Sequence, residues 1–70
     1  MTSRELADRV QELRRSRGLS VSQLAERAQI AESYVVLIEA GQQRLPPRAI
    51  LVRLARGLGV PEKELVEPIR

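Results

Sequence analysis

The chain has 70 residues, 12 of them basic and nine acidic, with a net charge of +3. This length suits one small domain with a core worth roughly 3–5 kcal/mol. It contains no Cys and no His, which excludes disulfides, the usual zinc clusters and nucleophile–histidine–acid triads. The excess of basic residues favours a polyanionic partner. We therefore expect a binding module, not an enzyme, with no cofactor and no metal.

The first ten residues carry four charged side chains and no apolar run, unlike a secretory signal. No apolar stretch approaches the ~20 residues that span a bilayer. These features predict a cytoplasmic protein without a membrane partner.

Apolar residues at helical spacing predict three helices in the first 41 residues. Leu6, Val10 and Leu13 mark the buried side of the first, which ends at Gly18, with Thr2 or Ser3 as its N-cap. The second opens with a capping box of Ser20 and Gln23. The third covers residues 32–40, with Val35 and Ile38 on one side, and stops at Gly41.

Two further helices are predicted in the second half of the chain. The fourth starts at Pro46-Pro47, because proline is tolerated in a first helical turn. The last begins near Pro61-Glu62 and is broken by Pro68. No strand alternation occurs, so the predicted fold class is all-α with five helices. The fourth helix is expected to bury Ile50, Leu51, Leu54, Ala55 and Leu58, and the last helix carries Leu65 and Val66.

The spacing of apolar residues between Val21 and Ala40 is typical of two helices that cross at a short turn. A small residue, Ala25, stands where the following helix would pass closely, and Ile30 would fill the corner between the helices. By itself this spacing also fits other small helical bundles.

Four segments make the sequence recognisable: RRSRGLS at 14–20, QLA at 23–25, IEAG at 38–41 and LARGLGV at 54–60. In this order and at these separations the chain resembles the Cro/repressor helix-turn-helix family, also called the xenobiotic-response-element family. The resemblance covers about residues 6–66. It implies a single lambda-repressor-like domain over residues 1–70, with the helix-turn-helix unit at about 20–41.

The resemblance also implies a sequence-specific regulator of transcription, repressor-like, that binds double-stranded DNA. It would bind a two-fold-related operator as a homodimer, with no small-molecule effector evident. Residues 60–70 are the candidate dimer surface, with Leu65, Val66 and Ile69 as its apolar contacts. The alternative is a protein-interaction module that keeps this fold and uses the apolar face of the third helix.

Arg14 and Glu39 match two positions that pair in this family. A bidentate pair would join the first helix to the third and have a structural role. The alternative is two separately solvated charges.

The family reads DNA bases with the third helix. Glu32 could accept from a cytosine N4, and Val36 or Leu37 could contact a thymine methyl group. Alternatively, Tyr34 and Leu37 form an exposed apolar patch. The candidate base contacts are Glu32, Ser33, Tyr34, Val36 and Leu37.

Positive charge follows the helix-turn-helix unit rather than lying within it. Residues 20–41 hold one basic and three acidic side chains, whereas residues 42–60 hold four arginines and no acid. Arg53 and Arg56 are interpreted as solvated helix surface. In the family the loop after the third helix and the start of the fourth run beside the DNA backbone, so the resemblance implies phosphate contacts here; the alternative is a solvated cationic face. The candidate phosphate contacts are Ser22, Gln42, Gln43, Arg44 and Arg48.

The sequence departs from the family pattern in four places, the first of which is Val21, where the family often has a phosphate-binding Gln. The third helix has no Arg, Lys, Gln or Asn, the side chains that pair bidentately with purines. Gln29 replaces the usual glycine of the turn, and Ala31 replaces the usual capping Ser or Thr. These changes leave the fold prediction intact and predict an unusual reading surface.

Overall fold

The computed structural model describes residues 2–41 and 45–65. Within them the chain forms helices and no strand, which confirms the all-α prediction. No helix in these ranges is long and apolar enough to cross a membrane. The helices are α1 (Ser3–Ser16), α2 (Val21–Ala28), α3 (Glu32–Ala40), α4 (Arg48–Leu58) and α5 (Glu62–Leu65).

Capping boxes start the first two helices. Thr2 Oγ1 accepts from the Glu5 amide at 3.1 Å, and Glu5 Oε1 accepts from the Thr2 amide at 2.7 Å. Ser20 and Gln23 repeat the arrangement on α2, at 3.0 and 2.8 Å. Each box satisfies two backbone donors that a helix N-terminus leaves without partners.

The turn between α2 and α3 is formed without glycine. Gln29 adopts the left-handed conformation, with φ 59° and ψ 47°, which costs a non-glycine residue about 1–2 kcal/mol. Ala31 is the N-cap of α3 and makes no side-chain cap hydrogen bond. Both departures from the family pattern therefore lower the stability of the fold. Gln29 has a backbone conformation that glycine adopts more easily, and Ala31 has no side-chain acceptor for the first turn of α3.

The start of α4 differs from the prediction. Pro47 is the N-cap, with φ −58° and ψ 156°, and the helix begins at Arg48. Pro47 instead contributes its carbonyl oxygen, which accepts from the amides of Ile50 and Leu51 at 2.9 and 3.2 Å. Ile50 and Leu51 are half-buried rather than buried, because the fully covered part of α4 is its second half.

The core is built from side chains of all five helices. Helix α3 packs against α1 and α2, while α2 also packs along α4 and α5 rests on α4 and α1. Leu13, Ile30 and Tyr34 are only partly buried against this core. The buried apolar side chains include Leu6, Val10, Leu24, Ala25, Val35, Ile38, Leu54, Ala55, Leu58 and Leu65.

A close approach between α2 and α4 occurs at Gly57. A Cβ atom at this position would lie 3.0 Å from the Ala28 backbone nitrogen and 3.1 Å from the Ala28 Cβ. Gly57 therefore lets α4 pack directly on the last residue of α2.

Candidate nucleic-acid interface

Helix α3 has one side in the core and one side in solvent. Val35 is fully buried and Ile38 is 3% exposed. On the opposite side Val36 and Leu37 are 51% and 42% exposed, and Glu32 and Ser33 are exposed with them. These four side chains form the outer surface of α3.

Tyr34 lies at the edge of that surface. It is half-buried and packs against the core. Of the five residues predicted to contact bases, the fold thus brings four onto one exposed surface and places Tyr34 beside it.

Glu32 is held by a contact from the preceding helix. The Ser22 hydroxyl donates to Glu32 Oε1 at 3.1 Å. Ser22 is the second residue of α2 and Glu32 the first of α3, so the contact joins the starts of both helices. One carboxylate oxygen is oriented by the protein, and the other stays available to a partner.

Behind this surface, Arg14 fixes α3 to α1. Its Nε and Nη2 donate to the two carboxylate oxygens of Glu39 at 2.7 and 3.0 Å. Its Nη1 donates to the Leu19 carbonyl at 2.9 Å. The side chains are only 13% and 9% exposed, and the hydrogen bonds to Glu39 raise the pKa of Arg14 above its ordinary value. The expected ion pair therefore forms, and it also anchors the turn that follows α1.

A second polar contact reinforces the same junction. The Gln11 side-chain amide donates to the Glu39 carbonyl at 2.9 Å. The last turn of α3 is thus held to α1 through both the side chain and the backbone of one residue.

Arg48 lies at the start of α4 with 82% of its side chain exposed. Its Nε and Nη2 donate to the Glu62 carboxylate at 3.2 and 3.3 Å, and these bonds raise the pKa of Arg48. The arginine is accessible to a phosphate but already has an anionic neighbour. Gln42, Gln43 and Arg44, the other predicted phosphate contacts in this region, lie outside the described residues.

The sequence profile of a family described as a helix-turn-helix domain matches residues 5–67. The chain belongs to the helix-turn-helix domain family. Its fold and motifs are those of the Cro/repressor type of DNA-binding regulator, as the resemblance implied.

Among the solved structures similar to this helix-turn-helix chain are two that each have 32% sequence identity and a TM-score of 0.83. One is the restriction-modification controller protein C.AhdI from Aeromonas hydrophila, where the match covers 90% of this chain and 94% of that one. The other is the complex of SinR protein with SinI protein, where it covers 89% of this chain and 60% of that one. No curated protein sequence matches the chain.

The predicted dimer contacts of this helix-turn-helix domain need one correction. Leu65 is fully buried, because α5 packs against α4 and α1. Its apolar surface is already covered within the chain, so the expectation of an exposed dimer contact at Leu65 is wrong. Val66 and Ile69 lie outside the described residues.

Two contacts at this site were not predicted from the sequence. The Ser22–Glu32 hydrogen bond could have been found, because two helices joined by a short turn can bring their first residues together. Arg53, interpreted as solvated surface, donates through Nη1 to the Gln29 carbonyl at 3.1 Å. No local signal identifies that contact, since 24 residues separate the partners.

Proposed function

We propose that this chain is a sequence-specific regulator of transcription that binds double-stranded DNA as a homodimer and acts as a cytoplasmic repressor. The observation that carries this proposal is the outer surface of α3. Its four exposed side chains project from a helix whose other side is fixed by the core and by the Arg14–Glu39 pair. Such a helix can enter a major groove without disturbing the fold.

Base reading follows from the chemistry of this surface. The free oxygen of Glu32 can accept a hydrogen bond from a cytosine N4 amino group. Val36 and Leu37 offer apolar contact to thymine methyl groups. Ser33 can donate or accept, and Tyr34 would contact a phosphate through its hydroxyl.

Phosphate contacts would position the domain on the duplex. Arg48 is the accessible cation on this part of α4, and Ser22 lies in the first turn of α2, where helical N–H groups favour anions. Gln42, Gln43 and Arg44 belong to the same proposed set. These contacts supply affinity without base selectivity.

Homodimerisation is proposed because a single nine-residue reading helix offers few base contacts. Pairing two copies doubles the reading surface and matches a two-fold-related site. The residues that follow α5, including Val66 and Ile69, remain the proposed dimer contacts.

Selection of bound sites from random duplex DNA tests the proposal directly. Recovered sites should share a two-fold-related motif, and sedimentation of the complex should count two protomers per site. Recovery of no motif, together with undetectable binding at about 50 mM salt, would contradict DNA-binding regulation.

Arg48→Ala tests the phosphate contact. The slope of log affinity against log salt concentration should fall by about 1 per protomer, because one fewer counterion is released. Arg56→Ala is the matched control, since it removes the same charge from the other end of the same helix. An equal fall of the slope for both variants would mean that affinity depends only on the net charge of the domain and not on a phosphate contact at Arg48.

A second candidate function is protein recognition by the same surface. Val36, Leu37 and Leu45 are exposed apolar side chains, and the helix-turn-helix unit carries an excess of acidic residues. A protein partner would cover the outer surface of α3 by apolar contact.

A further inference from the structure

Three arginines surround a cleft at the other end of α2 from the proposed DNA surface. The cleft has a volume of about 260 Å³. Ser22 and Ala28 are six residues apart, which corresponds to about 9 Å along a helix. The cleft is lined by Arg27, Ala28, Gln29, Arg53 and Arg56.

Two of these arginines are held in place by neutral acceptors. Arg27 Nε donates to the Gly57 carbonyl at 3.0 Å, and Arg53 Nη1 donates to the Gln29 carbonyl at 3.1 Å. Each bond orients a guanidinium group without neutralising its charge. Both groups keep further N–H donors for another acceptor.

No negatively charged side chain in the described part of the chain balances the three arginines of the cleft. Arg56 is exposed, and its side chain makes no hydrogen bond or ion pair with the described residues. No carboxylate within the described ranges lines the cleft.

The negative ends of two helices balance only part of the positive charge of the three arginines. Arg27 and Arg56 lie in the last turns of α2 and α4, and each helix C-terminus is equivalent to roughly half a negative charge. Three guanidinium groups therefore leave a surplus of about two positive charges in the cleft.

We propose that this cleft binds an acidic segment of a partner protein through its carboxylate side chains. Guanidinium groups with a fixed orientation favour planar, bidentate carboxylates. A concave cleft of this size admits side chains rather than a duplex. No residue of α3 lines the cleft, so the partner can bind there without covering the outer surface of that helix.

An octaglutamate peptide, added to ¹⁵N-labelled protein at about 50 mM salt, locates the site. The amide signals of Gln29, Gly57 and Gly59 should shift, because they belong to the cleft or the helix end beside it. Shifts confined to α3, or no shifts at all, would overturn the proposal.

Substitutions separate this cleft from a general effect of charge. Arg56→Gln should weaken peptide binding about twofold to fivefold, and Arg53→Gln combined with Arg56→Gln about tenfold. Arg4→Gln is the control, because it removes the same charge from an exposed position at the start of α1. The Arg56 side chain makes no hydrogen bond or ion pair with the described residues, so the single variant Arg56→Gln keeps the test valid if loss of Arg53 weakens folding. Equal weakening by Arg56→Gln and Arg4→Gln would refute a specific site.

A short duplex distinguishes nucleic acid from an acidic protein segment. Duplex DNA should leave the Gln29 and Gly57 signals in place and should not displace the peptide. If duplex alone shifts these signals and competes with the peptide, the cleft is a DNA contact and the proposal is wrong.

Discussion

The two sides of α3 differ in what the rest of the chain requires of them. Towards the core, Val35 and Ile38 are buried and Glu39 receives three hydrogen bonds from α1, two at its carboxylate and one at its carbonyl. Towards solvent, Ser33, Val36 and Leu37 are exposed, and Glu32 has a single hydrogen bond to Ser22. The same nine residues thus contain a side fixed by folding and a side left to a partner.

This difference shows how the fold and the choice of partner can vary independently. Substitutions on the inner side should change the free energy of unfolding. Substitutions on the outer side should change binding and leave stability nearly constant.

Glu39→Ala gives the largest expected effect. It leaves Arg14 without its carboxylate in a site where both side chains are nearly buried, and the free energy of unfolding should fall by about 3–5 kcal/mol. Urea unfolding followed by circular dichroism measures the change.

Glu26→Ala is the matched control for this experiment, because Glu26 is an exposed glutamate on α2. Its effect should stay within about 0.5 kcal/mol. Glu39→Gln keeps acceptor and donor atoms and should retain part of the stability if Glu39→Ala does not fold. Equal stability of the Glu39→Ala and Glu26→Ala proteins would show that the pair contributes nothing.

Ala31→Ser should stabilise the fold by about 1 kcal/mol, because a serine N-cap accepts from a first-turn amide that alanine cannot satisfy. For a domain of this size the melting temperature should rise by about 4–8 °C. Ala40→Ser, at the exposed last position of α3, is the control and should give no gain. A gain at both positions would mean that capping is not its cause.

Leu37→Arg should have the smallest effect on stability, within about 0.5 kcal/mol, because Leu37 is exposed. Its effect on binding separates the two candidate functions. A protein partner should be lost, whereas on DNA the added charge should alter the preferred site or raise non-specific affinity. Leu37→Ala removes the apolar group without adding charge and serves as the control. A large loss of stability in Leu37→Arg would contradict the view that the outer side of α3 is not needed for folding.

Much of the fold could be predicted because its signals are local. Capping boxes, helical spacing and Gly41 identify α1 to α3, and the motif match predicts the Arg14–Glu39 pair. The predicted start of α4 was wrong because both prolines were assigned to the helix, whereas Pro47 is the N-cap and has an extended ψ. The prediction of an exposed dimer contact at Leu65 was wrong because apolar character alone does not distinguish a core contact from a dimer contact.

The site was less predictable than the fold. Periodicity identified which side of α3 faces outwards, since the buried Val35 and Ile38 determine the orientation of the helix. It could not show that Arg53 reaches the Gln29 carbonyl or that Arg48 faces Glu62. Those contacts join residues that come together only through tertiary packing.

The absence of a side chain at Gly57 has a consequence for shape. Its missing Cβ sets the spacing between α2 and α4, and α2 is linked to α3 by a turn whose Gln29 carbonyl is tied to α4. A larger residue at position 57 would shift the end of α2, and the turn that follows it, relative to α4. The angle at which α3 meets its partner could therefore be tuned by a residue that never touches that partner.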